Sequence, residues 1–242
     1  MQQFAPVLHA EWLKIRTLRS LPGALALLFV TGTAFSALGG ASSTSEPEFD
    51  PLFTTQFGVY LGQIAAISFG AMAVSAEFRG GALRLSLSAV PQRGPWFAAK
   101  MTAIALPALA VGLLTALASL FAARATMGSA ADGLTAGEQT RAVVGCGIYL
   151  MLMALFAAGL ATLLRSGVAT LSVLTPFILI VSFVIGDAAG TAIDFMPDRA
   201  GQVILRQTYE GPLGPWSGLA VTALWTAAAL LAGAWSLRRR DA

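Results

Sequence analysis

The side chains in this sequence that could do chemistry are few. There is one histidine, His9, and one cysteine, Cys146, so no Cys/His cluster exists to hold a metal and no intrachain disulfide can form. Cys146 lies in an apolar run and reads as a small core residue, and His9 reads as a surface or interface residue. With that lone histidine near the N-terminus and no acid pair inside an apolar run, no nucleophile–base–acid arrangement is available. No catalytic residue and no metal ligand is assigned. The only lysines are Lys14 and Lys100, and no Gly-x-x-x-x-Gly-Lys-[Ser/Thr] occurs, so the chain has no P-loop with which to cradle the phosphates of ATP. The basic residues sit in short clusters rather than along a continuous face, a pattern that does not fit nucleic acid.

What remains is a set of polar residues set against apolar surroundings. Gln56 and Gln63 are seven apart and fall on nearly one helical face, where they could bond between helices or line a pathway. Glu11 falls on the apolar stripe of an amphipathic N-terminal stretch. It could reach lipid headgroups or pair with Lys14 three residues on, or it could meet a basic residue of a partner protein. Glu77 and Arg79 flank a possible hinge at Gly80-Gly81. Glu77 could bond to N-terminal cations such as Arg16 or Arg19, bond to a partner, or stand as a solvated cap.

The elements that must position these residues are apolar helices. The hydrophobic fraction is 56% and the charged fraction 11%, where an ordinary soluble domain has about 25% charged residues. So few charges cannot cover a water-facing surface, and lipid is the expected solvent. Six stretches contain no Asp, Glu, Lys or Arg: 20–45, 51–76, 101–123, 142–164, 166–186 and 211–237. Each exceeds the roughly 20 residues that a helix needs to cross about 30 Å of hydrocarbon. The expected spans are 21–41, 54–76, 101–123, 142–164, 167–187 and 215–237, in one transmembrane domain over 21–237. The fourth and fifth runs are separated only by Arg165, so the chain must reverse at Arg165-Ser166-Gly167. The first run has a long amphipathic lead with Trp12, which favours a retained span over a signal peptide. Pro107 and Pro176 are expected to bend the third and fifth spans.

Orientation follows from the cations. With the N-terminus inside, Lys14, Arg16, Arg19, Arg79, Arg84, Arg93, Lys100, Arg165, Arg238, Arg239 and Arg240 are inner, and Arg124, Arg141, Arg199 and Arg206 are outer. The positive-inside rule selects this arrangement, with both termini in the cytoplasm. Residues 187–215 form the longest outer loop and have room for a short helix at the outer interface. No deep acid or base marks an ion-coupled carrier.

Two segments carry the most information. Over 1–20, Phe4, Val7, Leu8, Trp12, Ile15 and Leu18 fall on one helical face, which describes an amphipathic helix on the inner leaflet, broken at Ser20-Leu21-Pro22-Gly23. Over 77–100, Glu77-Phe78-Arg79-Gly80-Gly81 leads into a short apolar-basic helix that stops at Val90-Pro91, and Lys100 anchors the next span. Leu83, Leu85 and Leu87 could dock in a groove while Arg84 and Arg93 meet acids on a partner.

With these residues the chain resembles the ABC-2 type permeases, the membrane subunits of one class of ABC exporter. The resemblance rests on Glu11-Trp12-Leu13-Lys14-Ile15-Arg16-Thr17-Leu18-Arg19-Ser20, on Glu77-Phe78-Arg79-Gly80-Gly81 followed by Leu83, Leu87, Pro91, Arg93 and Lys100, and on six spans closed by Arg238-Arg239-Arg240. It covers essentially the whole chain. It implies an all-α integral membrane fold of six transmembrane helices, with an elbow helix at 1–20, a coupling helix between spans two and three, and a cytoplasmic tail at 238–242. Glu11, Lys14, Arg16 and Arg19 would belong to the elbow. Glu77, Phe78, Arg79, Gly80, Gly81, Leu83 and Arg84 would couple to a separate ABC ATP-binding subunit, which holds ATP and Mg, so that this chain binds no cofactor. A second permease would complete a homodimer or heterodimer in a bacterial cell membrane. The expected function is ATP-driven efflux of an amphipathic or drug-like compound. Two alternatives stay open: a non-transporting membrane partner or regulatory protein, and an ion-coupled secondary carrier.

Overall fold

The computed structural model describes residues 4–42, 49–90, 92–178, 190–209 and 211–239, and every regular element among them is helical. In chain order these are α1 (Phe4–Thr17), α2 (Ser20–Ser42), α3 (Pro51–Thr55), α4 (Val59–Ser75), α5 (Ala82–Ala89), α6 (Arg93–Met127), α7 (Ala136–Leu164), α8 (Gly167–Pro176), α9 (Pro197–Gln202) and α10 (Pro215–Arg239). Among the described residues, five helices are long and apolar enough to cross a membrane: α2, α4 with its 3-10 extension to Phe78, α6, α7 and α10. That is the composition of a multi-pass membrane protein. The fifth charge-free run begins as α8, and the part of the expected span 167–187 beyond residue 178 lies outside the described residues.

α4 and α7 form the centre. In each, 67% of the most apolar window is buried, against 28% in α2 and 33% in α10. α7 packs against α4, α6 and α10, and α2 closes over α4 and α6. The outer helices keep large apolar side chains such as Leu114, Phe121, Leu224 and Leu231 exposed, as lipid-facing surfaces require. Several contacts need glycine, two of them on and beside α4. A Cβ on Gly70 would overlap the carbonyl oxygen of Ala154 where α4 crosses α7, and a Cβ on Gly58 would overlap the carbonyl of Gly32 on α2. The Gly-x-x-x-Gly at 58–62 is thus a close approach of two backbones.

Local sequence explains where the helices start and stop. Thr135 and Glu138 form a capping box at the start of α7. α7 ends on Arg165, whose φ of 54° is left-handed, and the Ser166 hydroxyl accepts from the Ala169 amide to start α8. The reversal therefore falls at the expected tripeptide.

The second expected span, 54–76, is interrupted. Asp50 caps the short α3, the backbone turns at 56–58, and only then does α4 begin. The break is satisfied internally: the Gly58 amide donates to Ser36 on α2 at 2.9 Å, and Gln56 Nε2 donates to the Ala116 carbonyl on α6 at 3.1 Å. α6 starts eight residues before the expected third span and runs unbroken through Pro107. The N-terminal break falls at 18–19 rather than at Ser20–Gly23, because Pro22 fits the first turn of α2, where its missing N–H is not needed.

Candidate functional site

α1 packs against α6, and its buried line is Val7, Glu11 and Ile15, at successive intervals of four. Phe4, Trp12 and Leu18, expected on the same apolar stripe, are exposed. The inward face is therefore rotated from the one the apolar pattern predicts, and Glu11 stands at its centre. The reason is a counter-charge. Lys100 lies seven residues into α6, about 10 Å along it, and its Nζ meets Glu11 Oε2 at 2.7 Å.

Two further charges close a ring. The 3-10 turn Ala76–Phe78 continues α4 and turns Glu77 inward, where its Oε1 accepts from Lys100 Nζ and from Lys14 Nζ, each at 2.8 Å. Lys14 Nζ also donates to Glu11 Oε1 at 2.8 Å. Each ammonium thus bridges both carboxylates. Ser86 on α5 adds a neutral contact, donating to Glu77 Oε2 at 3.1 Å and accepting from Lys14 at 3.2 Å. The side chains of Glu11, Glu77 and Lys100 are 3% exposed and that of Lys14 is 36% exposed. Burial acts to lower the Lys14 pKa, but the bonds and charges of Glu11 and Glu77 outweigh it, so the ammonium sits above its ordinary value. Both lysines of the chain are in this ring.

The expected partners of Glu77 are corrected here. It bonds to an N-terminal cation, but that cation is Lys14; Arg16 on the same helix and Arg19 in the turn after it are exposed. Lys100 is a buried member of the ring rather than a simple anchor. Glu11 is buried too, which removes it from the headgroups, while its pairing with Lys14 is present.

The turn after Glu77 has the hinge geometry that its glycines permit. Gly80 and Gly81 have φ of 59° and 76°, conformations costly for any residue with a Cβ. α5 then runs with Leu83 buried against Val7, Trp96 and Leu237. Arg79, Arg84 and Leu85 face outward, Leu85 being 73% exposed. Phe78 is half-buried under the guanidinium of Arg165, 5.7 Å from its ring centroid. Arg93 Nη1 donates to the Leu237 carbonyl at 2.6 Å, which ties the start of α6 to the end of α10.

The glutamines are elsewhere. Gln63 Oε1 accepts from the Tyr149 hydroxyl on α7 and from Gln202 Nε2 on α9 at 3.3 Å, and all three residues are buried. Gln56 and Gln63 each bond to another element, Gln56 through Nε2 while its buried Oε1 has no partner, and the break at 56–58 takes them off one continuous helix. Tyr149, Gln202 and Ser86 were not singled out from the sequence. No spacing marks them, since each becomes a partner only when separate helices meet. Among the described residues, no three His, Cys, Asp or Glu side chains gather into a metal-holding group. Comparison with family models finds no match, and comparison with curated proteins finds none either.

Proposed function

We propose that this chain is the permease subunit of an ATP-driven exporter of the ABC-2 type. In this reading it has six spans, with α8 as the start of the fifth, α1 as an elbow helix on the inner leaflet and α5 as the coupling helix. Both termini face the cytoplasm of a bacterial cell. A separate subunit supplies ATP and Mg, a second permease completes the pathway, and the cargo is an amphipathic or drug-like compound.

The observation that carries this reading is the ion ring of Glu11, Lys14, Glu77 and Lys100. A buried ring of charges is a poor way to add stability, because desolvation offsets most of the attraction and an apolar cluster would hold as well. What charges with fixed donors and acceptors supply is a single register. The ring joins α1, the end of α4 and α6, and Ser86 brings in α5. A force applied to the exposed Arg84 and Leu85 would reach α4 through a short turn and a fixed joint rather than a loose linker. That is what a transporter needs if its fuel is consumed on another polypeptide.

The test is the reconstituted complex with its ATP-binding subunit. Glu77→Gln, which keeps volume, and Glu77→Ala should each largely abolish substrate-stimulated ATPase activity while membrane insertion stays normal, and Arg84→Ala should do less. Wild-type activity in both Glu77 variants, or failure of any ATP-binding subunit to co-purify with the wild-type chain, would overturn the reading.

A further inference from the structure

At the opposite end of α4 from the ion ring lies a cavity of about 570 Å³, within the roughly 300–1,000 Å³ range of small-molecule sites. Its wall comes from separate segments: Asp50 before α3, Tyr60 in the first turn of α4, Asp194 in the 3-10 turn Gly190–Phe195, Arg199 on α9, and Arg206 and Tyr209 in the segment before α10. Its floor includes Gln202, the residue bonded to Gln63 and Tyr149 in the core.

The charged groups are not equivalent. Asp50 is committed to the fold: Oδ1 accepts from the Phe53 amide at 3.0 Å and Oδ2 from the Gln207 amide at 2.9 Å. Asp194 is half-buried, and among the described residues it has no ion-pair partner. Arg206 holds its Cζ 5.0 Å from the Phe53 ring centroid, a cation–π contact that does not use its N–H donors in an ion pair. Among the described residues it too has no ion-pair partner. One concave site thus brings together the Asp194 carboxylate, the Arg206 guanidinium beside a ring, and the side chains of Tyr60 and Tyr209.

We propose that this cavity binds a small zwitterion with an apolar body, of the size of a short peptide. Asp194 takes the ammonium, Arg206 takes the carboxylate, and Tyr60 and Tyr209 take the body between them. This deepens the reading above by naming a substrate class. Only the side from which the ligand enters rests on the proposed orientation; binding itself does not.

The test is calorimetric titration of the full chain in lipid nanodiscs with the tripeptide Ala-Phe-Ala. The controls are its N-acetylated form, which lacks the ammonium, and its C-terminal amide, which lacks the carboxylate. The free tripeptide should bind saturably, and blocking either end should weaken binding about tenfold or more. Asp194→Asn should weaken the free peptide by a similar factor yet leave the N-acetylated form unchanged. Arg206→Gln should do the same with respect to the amide. No saturable binding of the free tripeptide, or equal losses for free and blocked peptides in the variants, would overturn the proposal. No ATP-binding subunit is present in the experiment, so its outcome is separate from that of the exporter reading.

Discussion

Lys100 carries its charge two turns into a helix that is apolar beyond it, and it is tolerated there because Glu11 and Glu77 both reach it. Removing it leaves two buried carboxylates to share the half-exposed Lys14. Lys100→Met should therefore destabilise the fold by about 3–5 kcal/mol, the range for breaking a buried charge pair from one side. Adding Glu77→Gln should recover part of that, since the surplus carboxylate is gone. Thermal unfolding of the single and double variants in detergent measures both; an additive loss would show that the two residues do not interact. Lys14 gives a pH dependence with a definite sign. Its folded pKa lies above the unfolded value of about 10.4, so its contribution is complete below that pH and is lost as pH rises through the higher folded value. The difference in unfolding temperature between wild type and Lys14→Met should be constant from neutral pH to about 10 and shrink above it.

Packing at the level of elements depends on small residues as much as on apolar ones. α4 crosses α7 at Gly70, where an added Cβ meets backbone, which has no rotamer by which to move away. Gly70→Ala should cost about 1–3 kcal/mol, as overpacking does, and Gly70→Leu should prevent the native helix contact. Gly23→Ala on α2, where an added Cβ meets nothing within 4 Å, is the control and should leave the unfolding temperature near that of wild type. The α7–α8 reversal was readable from the sequence because one arginine between two apolar runs leaves no other place to turn. The break at 56–58 was not readable, because nothing in an uncharged run shows that Ser36 accepts from the freed Gly58 amide or that the Ala116 carbonyl takes the Gln56 side chain. Helix α5 was readable as an amphipathic segment, but which leucine turns inward was not: Leu83 does and Leu85 does not.

The whole molecule has a basic end, where the ion ring and the C-terminal arginines lie, and another end where the cavity lies, joined by α4. That helix runs from Tyr60 at the cavity to Glu77 at the ring, about 25 Å at 1.5 Å per residue, close to the thickness of a hydrocarbon core. The orientation is tested by cysteine labelling on a Cys146→Ser background. Cysteine in place of Asp132 should react with an impermeant reagent from outside, and cysteines in place of Arg93 or Arg239 should react only once the inside is exposed; labelling of position 93 from outside would reverse or abandon the topology. By itself the sequence determined the apolar helical class and the turn at Arg165, because these depend on composition and on where charge is absent, and both are properties of a linear string. It also marked Glu11 and Glu77 as charges out of place. Only the tertiary structure decided what they meet. Lys14, Glu77 and Lys100 are 63 and 23 residues apart along the chain, and a charge in a low-dielectric setting must find a counter-charge wherever the packing brings one. The same holds for Gln63, Tyr149 and Gln202, whose bonds exist only because three helices converge.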